Sequence, residues 1–112
     1  MQQSTIKIDV SRDPQKMISS IRWKATDSTA DADQAAKAMI LSFWDGQEKS
    51  AMRIDLWTKD MMIDEMGDFF YQTMMVMAES YGRATQQKEL AEDMKKFALE
   101  FYKKSRELLE KQ

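Results

Sequence analysis

The sequence contains no cysteine and no histidine. Without cysteine, disulfides, thiolate nucleophiles, iron–sulfur clusters and cysteine zinc sites are excluded. Without histidine, the commonest general base, the commonest metal ligand and the side chain that titrates near neutrality are all missing. Glycine is scarce: Gly46, Gly67 and Gly82 are the only three. None stands in a phosphate-cradling G-x-x-x-x-G-K-[ST] or G-x-G-x-x-G pattern. Serine is present, but with no histidine an ordinary nucleophilic triad cannot be assembled. No apolar run approaches the roughly 20 residues of a membrane-spanning helix. Met1 to Asp9 carries neither a basic segment nor an apolar stretch, so no signal peptide is expected there. A small domain without cysteine suits a reducing compartment, and a soluble, cytoplasmic location is the expectation.

What is present is ordinary for one folded domain of 112 residues, expected to span 1–112. The apolar share of 43% is too high for a disordered chain. The 17 basic and 19 acidic residues nearly cancel. That balance argues against nucleic acid, which asks for a basic excess or stripe.

Ile6, Ile8 and Val10 alternate with Lys7, Asp9 and Ser11, the period of a half-buried strand. Asp13-Pro14-Gln15 supplies turn chemistry. Ile21, Trp23 and Ala25 then alternate with Arg22 and Lys24, completing a hairpin over about residues 5–25. Asp31 and Gln34 have the spacing of a capping box. Ala35, Ala36, Met39, Ile40, Phe43 and Trp44 recur at helical spacing, and Asp45-Gly46 reads as that helix's end. Met52, Ile54 and Leu56 alternate with Arg53, Asp55 and Trp57 as a third strand. One long helix is expected from Asp60 or Asp64 to Ala84, with Met66, Phe69, Phe70, Thr73, Met74, Met77, Ala78 and Tyr81 inward. A second follows from Gln86 or Gln87, with Leu90, Met94, Phe97, Ala98, Phe101 and Leu108 inward. Lys104 interrupts the heptad rhythm of that last stripe, which favours packing within the chain over a coiled coil. The expected class is α+β, in the order β-β-α-β-α-α, a two-layer sandwich of a three-stranded antiparallel sheet covered by helices.

Four groups of residues are candidates for chemistry or recognition. Asp60, Asp64 and Asp68 stand four apart and could hold a divalent cation on one helical face; acidic residues in the first turns of a helix equally complement its dipole. Asp27, Asp31 and Asp33 cluster in a polar linker, without the glycine and terminal glutamate of a calcium loop. Trp57, with Arg53 and Asp55, should lie on the strand face away from the helices, a composition found in interface hot spots; packing against a loop or against Trp44 is the alternative. Methionine, 11 of 112 residues, concentrates around the first long helix. Met62 and Met75 fall off its core face and suit an adaptable apolar patch.

Several segments resemble the gliding-motility-associated protein GldC family. They are Leu41-Ser-Phe-Trp-Asp45, Arg53-Ile-Asp-Leu-Trp-Thr-Lys-Asp-Met61, Asp64-Glu-Met66, Gln72-Thr73, Arg83-Ala-Thr85 and Ala91-Glu-Asp-Met94. The likeness covers roughly residues 4–102. Where the family pattern has a proline after Met61, this chain has Met62. The resemblance implies an accessory protein without recognised catalytic residues, and it does not supply a molecular mechanism. The expectation is a non-enzymatic protein with no cofactor, no bound metal, no nucleic-acid partner and no membrane insertion. It would act through protein–protein contact with a component of a motility or envelope machinery. Alternatives are a small-ligand or divalent-metal protein using Asp60, Asp64 and Asp68, and a structural homodimer.

Overall fold

A computed structural model describes residues 2–26 and 32–111. Asp27 and Asp31, and with Asp31 the capping-box reading, lie outside the described residues. The chain is α+β. It divides into two compact units, Met1–Met61 and Met62–Gln112. The first holds β1 (Ile6–Arg12), β2 (Ile18–Ala25), β3 (Gln34–Ala36), β4 (Ala38–Asp45) and β5 (Ser50–Trp57). The second holds α1 (Ile63–Thr85) and α2 (Lys88–Glu110).

In the β unit, β1, β2 and β3 form an antiparallel sheet in that order, and β4 and β5 form a separate antiparallel pair. Ile21 lies opposite Val10 on one side and Ala36 on the other. The alternation therefore puts Ile8, Val10, Ile21, Trp23 and Ala36 on one face and Lys7, Asp9, Arg22 and Lys24 on the other. Ile21, at 1% exposure, is the one large side chain fully buried among the described residues.

The expected order is corrected to β-β-β-β-β-α-α, because the segment expected as a helix over 35–44 forms β3 and β4. The three-stranded sheet is accordingly β1-β2-β3, and the Met52 strand pairs elsewhere. The physical reason lies in β4. Met39, Leu41 and Phe43 point to one side, and Ile40 and Trp44 to the other. A strand apolar on both faces loses its period-2 signature and matches helical spacing by accident. Its bulky Ile40, Phe43 and Trp44 suit a pleated surface better than a helix. Gly46 belongs to the hairpin loop, and its φ is not positive.

Both hairpin loops are organised by an aspartate. Asp13 Oδ1 accepts the backbone N–H of Gln15 at 2.9 Å and of Met17 at 3.0 Å. Asp45 Oδ1 accepts those of Gln47 at 2.9 Å and Glu48 at 3.1 Å. Each loop returns through a lysine with positive φ, Lys16 at 67° and Lys49 at 55°. The segment after β5 ties the two sheets together. Thr58 N–H donates to Lys37 O at 2.7 Å, Lys59 N–H to Ile18 O at 2.9 Å, and Lys59 Nζ to Asp13 Oδ2 at 2.9 Å.

The Lys59 ammonium, through that hydrogen bond, is the largest influence holding the Asp13 carboxyl below its ordinary range. A carboxylate with a lowered folded-state pKa stabilises the fold above its unfolded pKa, and that stabilisation is lost as pH falls through the folded value. Asp13→Asn is therefore expected to lower the urea midpoint at pH 7 and to converge with the parent once the pH has fallen through the lowered Asp13 value. Parallel curves at both pH values would mean that the Lys59 bridge adds nothing.

In the helical unit, α1 and α2 are antiparallel and joined by Gln86 and Gln87 alone. Gln86 takes the left-handed conformation that ends α1, at φ 62°, and its N–H reaches Gly82 O at 2.9 Å. At the start of α1, Glu65 Oε1 accepts the N–H of Met62 at 3.2 Å. The seam between the helices is built from small residues. Ala78 and Ala98 are fully buried and Ala91 is nearly so. A Cβ on Gly67 would stand 2.6 Å from Ser105 Oγ, and one on Gly82 3.2 Å from Ala91 Cβ. The rings of Tyr71 and Tyr102 stack across the seam at 4.6 Å. Of the large residues expected inward, Met66, Phe69, Met74, Met94 and Phe101 are half-buried, whereas Phe70, Met77, Tyr81, Leu90, Phe97 and Leu108 are exposed.

Candidate functional site

The β4–β5 hairpin carries the strongest concentration of exposed apolar side chains in the β unit. Its register sets Trp57 opposite Ala38, Asp55 opposite Ile40, Arg53 opposite Ser42 and Ala51 opposite Trp44. Residues directly opposite one another share a face. One face therefore runs Trp57, Asp55, Arg53 along β5 and ends at Trp44 on β4. Arg53 Nη2 lies 3.1 Å from Asp55 Oδ2 and 3.3 Å from Oδ1. This places a self-neutralising ion pair between two exposed tryptophans, Trp57 at 55% and Trp44 at 69%. In water such a pair contributes little to stability.

Trp57 and Trp44 sit at opposite ends of the hairpin, six residues of strand apart, or roughly 20 Å. The reading in which Trp57 packs on Trp44 is thereby corrected: β4 is a strand and keeps them apart. Arg22 and Lys24 lie on the polar face of the three-stranded sheet, opposite Asp9 and Lys7.

The opposite face of the hairpin pairs Phe43 with Met52, Leu41 with Ile54 and Met39 with Leu56. It too is open toward the loop, where Phe43, Met52 and Ile54 are exposed. Sequence reasoning assigned Met52 and Ile54 to a covered face and put Phe43 and Trp44 on the stripe of a helix, outside the candidate surface. The available signal was the doubly apolar character of residues 38–44, read as a helix.

The methionine pair does not form a patch. Met62 is the exposed N-cap residue of α1. Met75 is half-buried thirteen residues along the same helix, roughly 20 Å away.

The three aspartates four apart do not share a helical face, because Asp60 precedes α1. Each has a local partner. Asp60 Oδ1 accepts the hydroxyl of buried Thr58 at 2.5 Å. That hydrogen bond is the largest influence lowering the Asp60 pKa, with Lys37 and Lys59 adding to it. Asp64 Oδ1 accepts the N–H of Glu65 at 2.8 Å, and Asp68 faces Arg106 at 3.7 Å. Among the described residues no group of three acidic side chains is placed to hold a metal ion. No helix among them is long and apolar enough to cross a membrane.

The profile of the family described as gliding motility-associated protein GldC-like matches residues 18–107, a stretch that runs from β2 through most of α2. Among curated proteins and solved structures, nothing matches.

Proposed function

The chain belongs to the gliding motility-associated GldC-like family, and from that membership we propose that it is a non-enzymatic accessory protein that binds another protein through its β4–β5 hairpin. The observation that carries the reading is the exposure of Phe43, Trp44, Met52, Ile54 and Trp57 on one short two-stranded ribbon. Phe43, Met52 and Ile54 adjoin on one face of the ribbon and Trp44 and Trp57 flank the ion pair on the other, and exposed apolar surface of this density is what protein contacts use. Tryptophan and arginine are the residues most often found to dominate such contacts. The Arg53–Asp55 pair suits the centre of a contact, since two partnered charges lose less on leaving water than one alone. The lack of histidine and cysteine supports the non-enzymatic side of the reading. The lack of cysteine supports a cytoplasmic place of action, which fractionation of native cells would check. The partner proposed is a component of a motility or envelope machinery.

The experiment is crosslinking mass spectrometry on the tagged protein in its native cell. Crosslinks from Lys49 and Lys59, at the two ends of the hairpin, to one specific protein are the expected result. Trp57→Ala should abolish them while leaving far-UV dichroism unchanged. A Trp57→Ala chain that loses its fold would put the indole in the core and end the site assignment. Unchanged crosslinks would move the contact elsewhere.

A further inference from the structure

The helical unit leaves one side uncovered. Its small-residue seam brings α1 and α2 so close that the large residues flank the contact without filling it. On α2, Leu90, Met94, Phe97, Phe101 and Leu108 follow a four-three spacing beside the seven-residue spacing of Ala91, Ala98 and Ser105. On α1, Thr73, Val76, Met77 and Tyr81 fall on the side of the seam that meets that stripe, and with Phe69 and Met94 they line a groove of about 580 Å³. Both flanks thus open on the same face of the hairpin.

We infer that this face is the contact between two copies of the chain, each hairpin supplying half of a four-helix bundle. Two observations choose the second copy as occupant. The first is area. Val76, Met77, Tyr81, Leu90, Phe97 and Leu108, between 38% and 64% exposed, present on the order of 700 Å² of side chain, close to the roughly 800 Å² per partner of a standard interface. The second is spacing. A four-three apolar rhythm like that of α2 is the pattern that receives the side chains of further helices, and a two-fold axis lets one face complement itself. The charges of α2 balance, so that helix brings no net charge to the contact. Lys104 is the single cation inside the stripe. This contact stands apart from the proposed β4–β5 binding surface and does not depend on it.

The test uses the full chain. Sedimentation equilibrium at micromolar concentration should give twice the 13.1 kDa of one chain. Crosslinking an equal mixture of ¹⁴N- and ¹⁵N-labelled protein should give mixed-isotope links from Lys95 and Lys104. Phe97→Glu is expected to weaken the dimer by about 100-fold or more. Should that variant fail to fold, Lys104→Leu provides the second arm: completing the stripe should tighten the dimer about tenfold. A monomer at all concentrations overturns the inference. So does a dimer whose mixed links run only through lysines of the β unit, or one indifferent to Lys104→Leu.

Discussion

Ala98→Leu is expected to cost about 1–3 kcal/mol and to melt the helical hairpin early. Ala98 has no exposed surface and lies on the seam where Ala91 and Ser105 meet Gly82 and Gly67. Leucine adds three carbon atoms to a place with no room for one. Its helix propensity is close to alanine's, so the loss reports packing and not backbone preference. For a chain of this size each kcal/mol lowers Tm by roughly 4–8 °C. The readout is thermal dichroism at 222 nm at fixed protein concentration, with Glu79→Leu at an exposed position of α1 outside the groove as the control. An unchanged Tm for Ala98→Leu would mean that the helices are not held by this seam.

The second large effect is expected in the other unit. Ile21→Ala should cost about 2–5 kcal/mol, the range for emptying a buried isoleucine site. Ile21 occupies the middle strand of the three-stranded sheet, between Val10 and Ala36, and few other apolar residues in that unit are well covered. The loss is a large share of the stability of so small a core. All three tryptophans, Trp23, Trp44 and Trp57, belong to the β unit. Indole fluorescence therefore follows its unfolding in urea separately from the helical signal at 222 nm. A fluorescence midpoint unmoved by Ile21→Ala would show that this side chain does not anchor the sheet.

What could be read from the residues alone follows from how many faces each element buries. β1, β2 and β5 were legible because each alternates cleanly, and α1 and α2 because their stripes are long. The start of α1 was placed within a few residues, since Asp64 and Glu65 supply its capping chemistry. β4 was not legible, because Ile40 and Trp44 on one face and Met39, Leu41 and Phe43 on the other erase the alternation. The helix seam was hidden for a different reason. Hydrophobicity points to Leu90, Phe97 and Leu108 as inward, but the closest approach goes to residues with the least side chain, Gly67, Ala78, Gly82 and Ala98. Apolar pattern identifies a face that needs covering; it does not say which neighbour covers it. Trp57, Arg53 and Asp55 were found from strand parity. Trp44 was missed along with the strand that carries it, and Met62 and Met75 were grouped by residue type while lying far apart on one helix.

The two-residue link at Gln86 and Gln87 has a consequence in time. It lets α1 and α2 meet with almost no chain to close, so their pairing is the most local tertiary event available and belongs to the fast end of folding. The β unit is closed instead by Lys59 reaching Asp13, 46 residues back. During refolding the helices should therefore find each other, and stand ready for their contacts, before the tryptophan-bearing sheets have closed.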